Sequence, residues 1–122
     1  MANPEHLAKL KEGVLTWNLW RKDNPDVIPD LSDANFTRGN LYQANLKHAN
    51  LDFANLKFAN LVEANLEYAN LESADLTRGD LLGADLTGAD LTGADLRSAN
   101  LKRANLASVK LTCPLCLYHF LS

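Results

Sequence analysis

The sequence predicts an all-β solenoid, a hollow coil that bends by a fixed angle with every five residues and keeps its apolar side chains inside. Three observations predict it. From Ala34 to Leu111 an apolar residue recurs at every fifth place, Phe36 first and then Leu41, Leu46 and onward to Leu111, giving sixteen consecutive repeats. Two places before each sits a small residue (Ala34, Gly39, Ala44 and so on to Val109), and one place before sits Asn or Asp until Lys110. The third observation is that a period of five suits neither ordinary structure. On a helix five residues advance about 500°, which splays successive leucines around the axis. On a flat strand an odd spacing throws them to alternate faces. Only a backbone that turns with each repeat holds every leucine on one side, which is the mark of a repeat architecture.

The chain before the repeats reads as a helix. Asn3-Pro4-Glu5 supplies an N-cap, a proline where its missing N–H costs nothing, and an acid in the first turn. Leu7, Leu10, Val14 and Trp17 then fall within about 80° on a helical wheel, with Trp20 beside them, so one amphipathic helix is expected to about Lys22. Asp23-Asn24-Pro25 and Ile28-Pro29-Asp30 break it, and the chain enters the coil through Leu31 and Phe36. A first coil without a cover presents unpaired edge groups and open core to water, so the tryptophan-bearing helix is expected to act as its lid.

Within each repeat the alternation of a large Leu and a small Ala lets layers interdigitate. Asn or Asp suits a corner, since its side chain bonds nearby backbone and its own backbone tolerates unusual dihedrals. After Leu111 the register stops, and Thr112 to Leu121 is too apolar to sit in water. This tail is expected to cover the last coil or to meet the same tail of a second subunit. The expected division is a helical cap and lead-in over 1–33, the β-helix over 34–112 and an apolar C-terminal cap over 113–122.

The run from Ala44-Asn45-Leu46-Lys47-His48 through Ala104-Asn105-Leu106-Ala107-Ser108 resembles the pentapeptide repeat proteins over roughly two-thirds of the chain. The resemblance implies a right-handed quadrilateral β-helix with four pentapeptides to a coil, hence about four coils in a rod roughly 20 Å long. Thr16-Trp17-Asn18-Leu19-Trp20-Arg21 with Pro29-Asp30-Leu31 also resembles the leader that precedes the repeats in many cyanobacterial members.

If residues twenty apart stack, one face carries Thr37, Arg38, Lys57, Phe58, Thr77, Arg78, Arg97 and Ser98, a basic column. The next carries the apolar line Tyr42, Val62 and Leu82, ending at Lys102 and Arg103. These two columns (Tyr42, Val62, Leu82, Arg38, Lys57, Arg78, Arg97) are the candidate partner surface. The third face holds Lys47, His48, Glu67 and Tyr68, and the fourth Asp52, Phe53 and Glu72. Asp75, Asp80, Asp85, Asp90 and Asp95 girdle the rod, and carboxylates a quarter-turn apart do not converge on a metal ion. His6 and His48 are expected to stand alone in solvent.

Cys113-Pro114-Leu115-Cys116 has thioredoxin-like spacing, but the strand-to-helix context of that chemistry is missing. Buried cap cysteines or a local disulfide between Cys113 and Cys116 are the plainer readings. Adding His119 gives three zinc ligands where a structural site wants four, so neither metal nor cofactor is expected. A net charge of −3 and a pI near 5.5 make no case for binding nucleic acid directly. No apolar run reaches membrane-spanning length, and the charged start reads as cytoplasmic. No nucleophile, base and orienting group come together in sequence, so the expected role is a non-enzymatic structural or protein-interaction module with an unidentified protein partner. A monomer is favoured, with a C-terminal homodimer as the other outcome. By resemblance, some family members are acidic dimeric rods that mimic DNA and inhibit DNA gyrase; the basic column and the small net charge argue against that role here. A thiol oxidoreductase rests on the cysteine pair alone.

Overall fold

The structure, a computed structural model, describes residues 1–111. Parallel bridges join Asp30 to Asn50, Asn35 to Asn55, and so on to Asp90 and Lys110, each pair twenty residues apart. One circuit of the coil is therefore four pentapeptides. The first bridge begins at Asp30, so Leu31 is already fully buried. Every fifth-place Leu from Leu41 to Leu96 is buried, and the core is a single stack of Leu and Ala layers continuous with Leu10 and Trp17 of the N-terminal segment. Each buried leucine contributes about 1.5–3 kcal/mol.

An accounting of backbone N–H groups shows why the repeat reads as it does. In an interior repeat the Leu N–H donates to a carbonyl of the next coil, as Leu46 does to Asn65 at 2.8 Å. The N–H of the second outward residue does the same, and the Asn/Asp N–H donates to the coil before. The small residue's N–H closes a turn back to the Leu carbonyl, as in Ala49 to Leu46 at 3.0 Å. The first outward residue alone lacks a backbone partner. The Asn or Asp Oδ1 two places earlier accepts from it, at 3.0 Å for Thr37 on Asn35 and 3.0 Å for Glu67 on Asn65. Asn and Asp are thus the repeat's answer to one orphan donor.

The left-handed backbone lies elsewhere than the sequence suggests. It falls on the second outward residue of every repeat from Asp33 to Ser108, where φ is between 56° and 69°, and not on the Asn/Asp corner. Positive φ at the second central position is what a type II turn needs, and Gly83, Gly88 and Gly93 meet it freely. Phe53, Phe58 and Tyr68 adopt it too, at about 1 kcal/mol or more each, held there by the inter-coil hydrogen bonds on both sides. Because every repeat is mostly turn, pairing between coils consists of isolated bridges and not extended strands.

The predicted single N-terminal helix is two: α1, Pro4–Lys11, and α2, Val14–Asp23. Asn3 caps α1 as expected, its Oδ1 accepting from the N–H of Glu5 and His6. The break falls at Gly13, whose φ of 112° no other residue type adopts readily. Leu10 and Trp17 are buried on either side of it. No described helix is long and apolar enough to cross a membrane.

Where the helices meet the first coil, side chains take the places a preceding coil would fill. Trp17 Nε1 donates to the Asn45 carbonyl at 2.7 Å, and the Asn45 N–H donates to Asn18 Oδ1 at 2.8 Å. Arg21 Nη2 donates to the Lys47 carbonyl at 2.9 Å. At the Asp30 corner, the Asn3 N–H donates to the Asp30 carbonyl and His6 Nδ1 accepts from the Asp30 N–H, both at 3.0 Å.

Candidate interaction surface

With register fixed at twenty residues, the outward side chains line up in columns. On the first face Phe58 stands on the middle coil between two arginines, with Arg38 Cζ 4.4 Å and Arg78 Cζ 5.6 Å from its ring centroid. Lys57 Nζ lies 5.9 Å from the same ring. Such contacts are worth about 0.5–1 kcal/mol each at an exposed site, and they restrain otherwise floppy side chains. Arg38, Lys57 and Arg78 are exposed, and none of them forms an ion pair among the described residues.

Arg97 at the foot of the column is different. It grips Asp95, with Nη2 to Oδ2 at 2.6 Å and Nε to Oδ1 at 2.9 Å. Hydrogen bonding to Asp95 raises its pKa above the usual arginine value. Asp95 is the bridge partner of Asp75, so two carboxylates of the Asp girdle share this corner and Arg97 offsets their repulsion. Thr77 Oγ1 donates to Asp75 Oδ1 at 2.6 Å. Lys57, Arg78 and Arg97 border a shallow hollow of about 360 Å³.

On the second face Tyr42, Val62 and Leu82 stack on successive coils, Tyr42 exposed and the other two half-buried. The Tyr42 hydroxyl donates to Glu63 Oε2 at 3.3 Å, and the negative charge of Glu63 raises the phenol pKa. Above this line the start of α2 and Tyr42 border a groove of about 630 Å³. The third face holds a stack in which His48 lies on Tyr68 with centroids 5.3 Å apart and planes 12° from parallel. A Cβ at Gly88 would meet Tyr68 Cε1 at 2.5 Å, so Gly88 gives that ring its room. The fourth face is acidic, with Asp33, Asp52 and Glu72 around an exposed Phe53.

A profile of the family described as Pentapeptide repeats matches eight copies, over residues 30–67, 54–93 and 69–107. The chain belongs to the pentapeptide repeat family. Among solved structures it is similar to HetL, a pentapeptide repeat protein involved in heterocyst differentiation regulation from the cyanobacterium Nostoc sp. strain PCC 7120. That match has 38% identity and a TM-score of 0.65 over 67% of this chain and 40% of HetL. It is similar also to alr5209, a pentapeptide repeat protein from Nostoc PCC 7120, at 32% identity and a TM-score of 0.68, over 81% of this chain and 95% of that one. Rfr23 from the cyanobacterium Cyanothece 51142 matches at 37% identity and a TM-score of 0.54, over 70% of this chain and 63% of Rfr23. The chain thus spans well under half of HetL's length. No curated protein matches it in sequence.

In this pentapeptide repeat protein the two histidines do not stand alone in solvent. His6 is half-buried, hydrogen-bonded to Asp30 and 5.2 Å from Trp20, and His48 is stacked. Counting in twenties already put His48 and Tyr68 on one face without showing their stacking, whereas nothing in the repeat pattern pointed to the contacts of His6 with Asp30 and Trp20. Arg21 was also hidden. It is 4% exposed, donates to the carbonyls of Val27 and Lys47, and leaves Nε without a partner among the described residues. Burial lowers its pKa. Only its place one turn after Trp17 on the buried helix face could have signalled it. Cys113, Cys116 and the C-terminal cap lie outside the described residues. Among the described residues no group of three His, Cys, Asp or Glu side chains is placed to hold a metal ion.

Proposed function

We propose that this protein is a non-enzymatic interaction module of the cytoplasm, a right-handed four-sided rod of about four coils closed at its N-terminal end by α1 and α2. The partner is a protein engaged through the outward columns. The observation that carries this reading is the group of three cations, Arg38, Lys57 and Arg78, gathered around one ring without carboxylate partners. Free surface charges left together in this way favour encounter with an oppositely charged surface and set its register. The neighbouring line Tyr42, Val62 and Leu82 would supply the apolar part of the contact. The Asn and Asp side chains of the described repeats close turns and in places join coils, which supports a structural role over a catalytic one. HetL acts in the regulation of heterocyst differentiation, and a partner-binding role in regulation is compatible with the same fold. A DNA-mimic inhibitor of gyrase would need a continuous acidic surface, which the Arg38, Lys57 and Arg78 column interrupts.

The test is affinity capture from a cyanobacterial lysate with wild type and an Arg38→Gln, Arg78→Gln variant, the captured proteins being identified by mass spectrometry. A protein retained by wild type and lost by the variant is expected. Identical captures from both would defeat the assignment to this face. Inhibition in a gyrase supercoiling assay would favour the DNA-mimic role instead.

A further inference from the structure

We propose that the basic column receives an acidic α-helix lying parallel to the rod axis, an inference that rests on the interaction-module reading. Successive coils stack about 4.8 Å apart, so Arg38, Lys57, Arg78 and Arg97 present one cation per coil at that axial spacing, alternating between the neighbouring columns of second and first outward residues. An α-helix has a pitch of about 5.4 Å, so carboxylates at i, i+3 or i+4, and i+7 present one anion per turn along one stripe. The two ladders drift apart by only about 0.6 Å per step, which long Arg and Lys side chains absorb over three or four steps.

The Phe58 ring fixes the geometry. It lies between Arg38 and Arg78, whose backbones stand two coils apart, about 10 Å, the distance from i to i+7 on a helix, and it draws both guanidinium groups onto one ring. Guanidinium forks restrained in this way are suited to bidentate carboxylate recognition. Arg97 marks the end of the receptive stretch, because Asp95 already occupies it. Charge also limits the width of the occupant. The adjacent face carries Asp33, Asp52 and Glu72, which leaves one favourable face for an object about 10–12 Å across. A nucleic-acid duplex carries about one charge per 1.7 Å of axis and would meet those carboxylates.

Fluorescence anisotropy with a labelled helical peptide tests the proposal. The peptide bears Glu at i, i+3, i+7 and i+11 on an Ala/Gln background, and a control of equal composition distributes the four Glu around the helix. The patterned peptide is expected to bind full-length protein more tightly than the control, by about tenfold at low salt, and to weaken as salt rises. Arg38→Gln with Arg78→Gln should remove most of that preference, and Phe58→Leu, which leaves every charge in place, should remove part of it. Arg38 and Arg78 are exposed, so circular dichroism melts of their double variant should match wild type, and its loss of binding reports the surface and not the fold; the same melt on half-buried Phe58→Leu checks that its coil stays folded. Equal binding of the two peptides, or no binding of either, overturns the acidic-helix occupant. A DNA duplex bound more tightly than the patterned peptide overturns it in favour of nucleic acid. Lysate capture that still depends on Arg38 and Arg78 would then leave the interaction-module reading standing.

Discussion

The first coil has four corners, and they fall into two kinds. At Asp30 and Asn45 the groups that would pair with a preceding coil are taken up by Asn3, His6, Trp17 and Asn18. At Asn35 and Asn40 the corresponding N–H and C=O groups have no protein partner among the described residues, and both residues are exposed. These two corners are open to solvent, whereas the other two lie where Leu10 and Trp17 continue the core. The difference teaches that in this chain the edge groups of the first coil are not all paired by protein: the bonds at two corners join the segment bearing Leu10 and Trp17 to the apolar interior, and the other two corners face solvent.

The largest test removes the distinction altogether. Deleting residues 2–22 would leave all four corners open and expose the Leu31 layer, and the product should aggregate instead of staying dispersed, as light scattering will show. A deletion variant as well dispersed as wild type would mean that the helices are an appendage. Next in size is Trp17→Ala, which empties a fully buried site and frees the Asn45 carbonyl. It should cost about 3–5 kcal/mol in urea unfolding, while Leu19→Ala at a site 65% exposed should stay within about 0.5. Equal losses from the two would contradict the helix face assigned by burial.

Arg21 sharpens the same contrast, because it joins the cover to the coil at the cost of burying a cation. Arg21→Met keeps the aliphatic packing and loses two charge-assisted bonds, but it also relieves the desolvated guanidinium and its unpartnered Nε. The loss should therefore be about 1–2 kcal/mol, clearly less than for Trp17→Ala. A loss as large as that for Trp17→Ala would show that Arg21 and not the tryptophan anchors the helices.

These residues also mark how far the sequence could be read. The interior was legible because a period of five leaves Leu and Ala one consistent side, and the N-cap at Asn3 was legible because capping is local. The columns followed from counting in twenties, so Arg38, Lys57 and Arg78 could be placed together. The grip of Phe58 on the two arginines could not be read, since it depends on rotamers. The break at Gly13 was passed over because the apolar spacing from Leu7 to Trp17 continues across it, and a lone glycine is a weak signal against that pattern. Positive φ was assigned to Asn and Asp from their general tolerance of it. The coil instead places it where only turn geometry decides, at residues as bulky as Phe53 and Tyr68.

The smallest expected effect separates a covered corner from an open one by charge. Asp30 accepts from the Ser32 hydroxyl at 2.8 Å and from its N–H at 3.2 Å, and these bonds, the hydroxyl first, hold its pKa below the ordinary 3.8. At the open corner Asn35 makes the same two bonds with Thr37, at 2.6 and 3.0 Å, using an amide that does not titrate. A carboxylate whose folded pKa is depressed contributes stability that is present above its unfolded value and is lost as pH falls through the folded one. Wild type should therefore weaken below about pH 4 relative to Asp30→Asn. Solvent screening keeps the difference to a few tenths of a kcal/mol, about what a surface charge contributes. The N-terminal amine and His6 lower the Asp30 pKa further, as lesser causes that the Asp30→Asn change also removes. Asp90 is depressed in the same way through Thr92 but is common to both proteins. Urea midpoints at pH 7, 5 and 3 should then run parallel down to pH 5 and converge or cross by pH 3. Curves that stay parallel throughout would mean that the Asp30 carboxylate does no more at its covered corner than the Asn35 amide does at its open one.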